Sequence, residues 1–212
     1  MRVVHPTADV DERQMFQDVS ADFFSIEDLP PIPPCLIHLS GLADQEFTTA
    51  FMRGLKGLGH RLSVDLQDFV RQVDPETRVI RFRDVPGKRE LVSMCDIVKL
   101  DVVEAKILTG TEDLEKAAEE IEKWGCPETL ITRSDGVLVR RSGLVHFETY
   151  TNRNNDGRTG RGDTTIGAYL ARRLDYGVED ALKFASALAS IKMETAGPFR
   201  GTIEDVLDRM RS

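Results

Sequence analysis

Asp156-Gly157-Arg158-Thr159-Gly160-Arg161-Gly162-Asp163-Thr164-Thr165-Ile166-Gly167-Ala168-Tyr169-Leu170 is the stretch of this 212-residue chain that carries most information about its fold. Gly160 and Gly162 let the backbone approach a ligand and take up positive φ. The helix that follows offers unpaired N–H groups and the positive end of its dipole, a setting for a phosphate or for charge developing on one. An acid that merely lined such a pocket would repel the phosphate. It makes chemical sense if it accepts the proton of an attacking hydroxyl as a phosphoryl group arrives, and Asp163 is placed to do so. The plainer alternative is a helix start with Asp163 or Thr164 as cap and the glycines in the preceding turn. No Gly-Lys-Ser/Thr follows, so this is not a Walker A loop, and it does not follow a strand as a dinucleotide fingerprint does. The Arg161-Gly162-Asp163 tripeptide, with no secretory signal, is read as coincidence rather than an adhesion motif.

Outward from this loop the pattern is regular. Leu36–Leu39, Leu62–Asp65, Ile97–Leu100 and Thr129–Thr132 are short apolar runs expected to be strands, and helical spacing covers Gln45–Leu58, Val102–Leu108 and Leu114–Trp124. Val137–Val139 and Leu144–Phe147 flank Ser142-Gly143, a hairpin turn. After Gly162 the chain reads as helix over about 163–175, 178–194 and 202–210. Strand alternating with helix implies a parallel sheet covered on both faces, with the hairpin as an antiparallel edge. Ligands in such folds sit at the carboxyl ends of the strands, where Asp65, Lys99, Asp101 and Thr132 fall. Four prolines in Leu29–Pro34 form an extended connector, so the expected division is an N-terminal arm and connector, 1–35, and a catalytic domain, 36–212.

Composition narrows the function. The 41% apolar and 30% charged content excludes wholesale disorder, and the net charge of -8 argues against duplex DNA or an anionic membrane as the main partner. Cys35, Cys95 and Cys126 are odd in number and far apart, which points to a reducing cytoplasm and away from a disulfide framework. No apolar run approaches the ~20 residues of a membrane span, and His5, His60 and His146 lack metal-ligand spacing. His38, inside an apolar run, reads as a satisfied core histidine. Asp65, with Gln67 after it, is either a cleft residue near an acceptor or a cap. Arg78–Arg83 reads as a surface strand rather than a nucleic-acid patch.

Thr159-Gly160-Arg161-Gly162-Asp163-Thr164 resembles the second signature of the ribokinase-like (PfkB) carbohydrate kinases, Asp-Thr-Thr-Gly-Ala-Gly-Asp followed by a helix. In that family the Gly-Ala-Gly turn is an anion hole and the last Asp the base. Asp96–Ala105 resembles its strand and Asn-x-x-Glu motif, Leu130–Gly136 its Thr-x-Gly-x-x-Gly segment, and Phe184–Ala189 its small-residue helix near the adenine. The resemblance spans residues 36–205 and implies a three-layer α/β/α fold with a mostly parallel central sheet. It also implies an ATP-dependent kinase acting on a hydroxyl of a small sugar-like molecule, with a cyclitol or a nucleoside as other acceptor classes. Asp163 would be the base and Gly160, Arg161 and Gly162 the anion hole. Thr132, Ser134, Gly136, Thr159, Lys99 and Asp101 would border ATP, and Glu104 would support Mg2+. Arg161 departs from the family's Ala, Asp101 from its Asn, and Gly157 from its leading Asp. The family's N-terminal sheet strands, acceptor-holding Asp and β lid have no match: Asp9 and Asp11 fit no motif, and the N-terminal part reads as truncated. A non-catalytic nucleotide-binding relative is the alternative. A homodimer is open, since the family often dimerises through that lid.

Overall fold

The computed structural model describes residues 2–4, 14–20 and 22–211; His5, Asp9 and Asp11 lie outside the described residues. In chain order the elements are β1 (Arg2–Val4), β2 (Gln14–Phe16), β3 (Leu36–Leu39), α1 (Thr49–Gly57), β4 (Arg61–Asp65), α2 (Gln67–Val70), β5 (Arg71–Val73), β6 (Ile80–Phe82), α3 (Lys88–Ser93), β7 (Ile97–Asp101), α4 (Val102–Thr109), α5 (Leu114–Lys123), β8 (Glu128–Thr132), β9 (Gly136–Arg141), β10 (Leu144–Thr149), α6 (Arg161–Arg173), α7 (Val178–Met193) and α8 (Ile203–Arg209). The central sheet runs β10-β9-β8-β7-β4-β3. Its pairs β3–β4, β4–β7 and β7–β8 are parallel, while β8–β9 and β9–β10 are antiparallel. The chain therefore has the mostly parallel α/β/α architecture that its alternating pattern implied.

Alternation along each strand divides the interior in two. Val98, Leu100, Ile131 and Leu138 face a core shared with Phe51, Met52 and Leu55 of α1, Leu91 of α3 and Ile121 of α5. Ile97, Leu130, Val137 and Val139 face the opposite core, with Ile166 and Tyr169 of α6, Leu182 and Ala185 of α7 and Val206 of α8. Each fully buried Leu or Ile contributes about 1.5–3 kcal/mol relative to exposure. The small residues of α7 let α6 pack closely against it. Polar groups on α7 also tie it to the segment entering the glycine loop: Ser186 Oγ donates to the Thr149 carbonyl (2.7 Å), and Thr151 N–H donates to Ser190 Oγ (2.9 Å).

Boundaries move where a cap decides them. α1 starts at Thr49 rather than Gln45 because Thr48 Oγ1 accepts the Phe51 N–H. The hairpin turn is at Ser142-Gly143, as the sequence implied, with φ of 50° and 77°, the pair of positive values of a type I′ turn.

β6 falls inside the Arg78–Arg83 stretch read as a strand, whereas α2, α3 and the other strands of a small β region were not anticipated. β5 and β6 pair antiparallel, β1 and β2 pair with each other, and Phe16 bridges to Val79. Met15, Ala43, Val73 and Ile80 form a separate cluster there. Ile80–Phe82, within the basic stretch, is a strand. Three-residue strands show no readable period, and the bridge that joins the two pairs, Phe16 to Val79, links residues far apart in sequence. Among the described residues no helix is long and apolar enough to cross a membrane.

Candidate active site

Four parallel strands end on one edge of the sheet, at Leu39, Asp65, Asp101 and Thr132. Asp65 and Lys99 are cross-strand neighbours on β4 and β7, and Lys99 Nζ donates to Asp65 Oδ2 at 2.8 Å with both side chains buried. Burial opposes the Lys99 charge, but Asp65 and Glu104 hold its pKa above the usual lysine value. Asp65 Oδ1 also accepts the Gln67 N–H at 3.1 Å. Asp65 is thus an ion-pairing residue whose second oxygen accepts the backbone N–H two residues on; the N-cap of α2 is Leu66. Both Asp65 carboxylate oxygens have partners inside the fold.

The glycine loop lies directly above this pair. Gly160, not Asp163 or Thr164, is the N-cap of α6, in the left-handed region with φ 79°. Gly162 is helical, so positive φ is required at only one of the two glycines. Its lack of a side chain serves another purpose, since a β-carbon there would stand 3.1 Å from Lys99 Nζ. Arg161 N–H donates to the Arg158 carbonyl and Thr164 N–H to the Gly160 carbonyl. Among the described residues, the N–H groups of Gly160, Gly162 and Asp163 have no acceptor. Three amides of the turn are therefore left without an intramolecular acceptor, while the Arg161 amide, part of the expected set, is engaged by Arg158. Asp163 is exposed in the first turn of α6.

The departures from the family pattern acquire physical reasons. A β-carbon on Gly157 would come within 2.0 Å of the Thr195 carbonyl oxygen, so the leading Asp of the signature does not fit here. Arg161 is half-buried and reaches toward the segment after β8. Its Nη1 is 3.4 Å from the Ser134 carbonyl and its guanidinium is 5.6 Å from the centre of the Tyr150 ring. Asp101 caps α4, accepting from Val103 and Glu104 N–H at 2.8 and 2.9 Å, while Glu104 Oε2 accepts the Asp101 N–H at 2.8 Å. This capping box explains Asp at 101 without a ligand.

Glu104 is fully buried, and burial raises its pKa to about 7, with Asp101 and Asp65 adding to the rise and Lys99 and Arg71 opposing it. Its Oε1 makes no hydrogen bond and lies 3.6 Å from Arg71 Nη2. Thr132 is buried at the end of β8, and Ser134 and Thr159 are exposed. Gly136 is required by packing, because a β-carbon would come within 2.4 Å of the Glu148 carbonyl oxygen. The structure thus gathers Lys99, Asp65, Gly160, Gly162 and Asp163 at one point, and places Arg161 beside the Ser134 segment.

Sequence reasoning missed two groups, Arg71 and Lys192, and misread a third, His38. Arg71 faces Glu104 from the start of β5. Lys192 is buried near the end of α7, on the same face as Ala185 and Ala189; a lysine on an apolar helical stripe was the available signal. His38 is not a fully satisfied core histidine: Nδ1 contacts Ser63 Oγ at 3.0 Å, but Nε2 is buried without a partner. Burial holds its pKa below the usual histidine value.

Asp68 is a buried carboxyl with neither oxygen hydrogen-bonded. Burial raises its pKa from 3.8 to about 8, and the nearby Asp65 and Glu46 add to the rise. The folded pKa is above the unfolded one, so this group's contribution to stability is present in acid and is lost as pH rises from about 4 toward about 8. Asp68→Asn is therefore expected to stabilise the fold at pH 8, on the order of 3 kcal/mol, with little gain near pH 4. Urea midpoints at the two pH values read this directly, and identical pH dependence of parent and variant would show that water reaches the carboxyl.

Comparison with known proteins agrees with this geometry. The pfkB family carbohydrate kinase model matches residues 36–204. The cytidine kinase of Thermococcus kodakarensis is 32% identical over 139 residues, covering 64% of this chain and 46% of that protein. The chain thus spans less than half the length of that curated relative. A pyrophosphate-dependent kinase in the ribokinase family, solved with sulfate, superposes with a TM-score of 0.85 at 34% identity over 94% of this chain and 70% of that one. A pyrophosphate-dependent kinase of the same family complexed with a pyrophosphate analog and myo-inositol gives 0.83 at 34% identity, over 92% and 70%. Arabidopsis thaliana ribokinase with ribose and ATP, at 21% identity, shares the fold, with a TM-score of 0.62 over 76% of this chain and 51% of that one. With the family model matching most of its length and the glycine loop, buried lysine and strand-end acids assembled at one edge of its sheet, the chain belongs to the pfkB family of carbohydrate kinases.

Proposed function

We propose that this chain transfers a phosphoryl group from a polyphosphate donor to a hydroxyl of a small polyol-like acceptor. The observation that carries this reading is the exposed Asp163 beside three amides at the start of α6 that have no acceptor among the described residues, with Lys99 buried beneath them. Asp163 takes the hydroxyl proton as the acceptor oxygen attacks. The amides of Gly160, Gly162 and Asp163 stabilise the charge on the transferred group. Lys99, fixed by Asp65, adds a positive potential under the turn that costs no reorganisation during the reaction.

ATP is the donor that the family signatures imply, with Thr132, Ser134, Gly136, Thr159 and Asp101 bordering it. Inorganic pyrophosphate is a second reading, supported by the 34% identity to pyrophosphate-dependent kinases across nearly the whole chain. Among the described residues no three acidic, histidine or cysteine side chains cluster as a metal cage. Mg2+ fits instead as an ion held mainly by donor phosphates, with Glu104 as the protein carboxylate; when bound it neutralises charge on the transferring group. The acceptor is a sugar, a cyclitol such as the myo-inositol bound by one neighbour, or a nucleoside such as the substrate of the cytidine kinase.

Calorimetry of the chain with Mg2+ and either ATP or pyrophosphate, followed by a panel of sugars, inositols and nucleosides, tests the reading. We expect one donor to bind and one acceptor class to release ADP or orthophosphate. A donor that binds with no response to any acceptor supports the non-catalytic alternative. No binding of either donor removes the proposal for this chain.

A further inference from the structure

Lys192 lies at the last turn of α7 and is 5% exposed. Its Nζ donates to the Gly157 carbonyl at 2.5 Å and to the Thr159 carbonyl. The same loop is held from the other direction, because Gly157 N–H donates to the Met193 carbonyl at 2.8 Å. A β-carbon on Gly160 would lie 3.8 Å from Lys192 Nζ and 4.0 Å from Asp163 Oδ2, so the ammonium stands just behind the turn that presents Asp163. Two backbone carbonyls of one loop thus converge on a single buried positive charge. An array of carbonyl oxygens is the chemistry that replaces the hydration shell of a monovalent cation. An ammonium is a compact point charge that can occupy the same place with directed donors.

We propose that Lys192 is a positioning residue whose ammonium acts as a built-in monovalent cation, clamping residues 157–159 so that the Gly160–Asp163 turn is preformed. The clamp is a property of the fold; its effect on donor binding rests on the phosphoryl-transfer reading above. Burial lowers the Lys192 pKa and the Asp163 charge opposes this, in keeping with an ammonium whose water has been replaced by protein oxygens. Without it, the two carbonyls would face each other with no donor between them, and the loop would open or recruit an ion from solution.

Lys192→Met reproduces the side chain as far as the ε-carbon and leaves the ammonium position empty. Parent and variant are compared in potassium chloride and in choline chloride at matched ionic strength, by thermal unfolding and by binding of inorganic pyrophosphate and ATP. The parent is expected to show the same unfolding midpoint and donor affinity in both salts. The variant is expected to melt lower in choline, to bind donor about tenfold more weakly there, and to recover both properties in potassium. A burial defect alone would not distinguish the two salts. If the methionine variant does not fold, Lys192→Ala, which removes any crowding by the thioether, takes its place. The proposal is overturned if the parent itself is stabilised by potassium over choline, or if neither variant responds to potassium. Should the parent bind neither donor, the functional reading falls, while the unfolding comparison still decides the clamp.

Discussion

Asp163→Asn is expected to lower turnover by about a thousandfold while changing donor affinity by no more than about twofold. The expectation follows from where the residue sits. Asp163 is exposed in the first turn of α6, and among the described residues its carboxylate holds no hydrogen bond or ion pair, so the fold does not depend on its charge. Asn keeps the shape and polarity but cannot take a proton from an attacking hydroxyl. The anion-binding amides of Gly160, Gly162 and Asp163 remain, because they belong to the backbone. Donor binding by calorimetry and initial rates with the acceptor identified in the panel separate the two effects. If donor binding disappears along with turnover, Asp163 shapes the loop rather than serving as base, and the helix-start reading of the glycine stretch gains.

The second large effect is on stability. Lys99→Met is expected to destabilise the fold by about 3–5 kcal/mol, since it leaves the Asp65 carboxylate buried without its partner. Packing is largely preserved, because methionine reproduces the side chain as far as Cε, one of the two Lys99 atoms that lie against Gly162, and omits only Nζ. The cost is therefore electrostatic, and it should shrink when Asp65 is neutralised as well. Asp65→Asn retains an oxygen for the Gln67 N–H and removes the charge, so the double variant is expected to recover most of the loss. Denaturant unfolding of the four proteins of the cycle gives the coupling. A single variant within about 1 kcal/mol of the parent would mean that Asp65 is protonated or hydrated without Lys99. Because a buried pair can contribute little net stability, its place beneath the anion-binding turn accounts better for its presence than stability does.

Much of the fold was legible because its long elements carry strong local signals. β3 was read to its exact ends, and the other central strands to within a few residues, from apolar runs bounded by turns. The Ser142-Gly143 turn could be located because its left-handed conformations favour particular residues. The residues proposed for the site were legible in their order, from strand-end Lys99 and Asp101 through Thr132 to the glycine loop and Asp163. Of the small β region only β6 was read as a strand; a three-residue strand such as β1, β2 or β5 has no period, and the bridge from Phe16 to Val79 joins residues far apart in the chain. Glycine roles were legible only in part. The sequence marks 157, 160 and 162 as positions without side chains, but a carbonyl from 195, a left-handed cap and a lysine from β7 are three separate reasons that only neighbours reveal.

By itself, then, the sequence determined the alternation of strand and helix, the parallel sheet with its antiparallel edge, and the identity of the acid at the start of α6. These follow from side-chain period, turn chemistry and the electrostatics of a helix terminus, all of which act over a few residues. The tertiary structure decided what charged groups do once they are buried. Asp65 became a partner for Lys99, Asp101 a cap, Arg161 a contact of Ser134 and Tyr150, and Lys192 a clamp on the loop 35 residues before it. The energy of a charge depends on burial and on which opposite groups the fold brings within a few ångströms, and no local pattern in a chain encodes that distance.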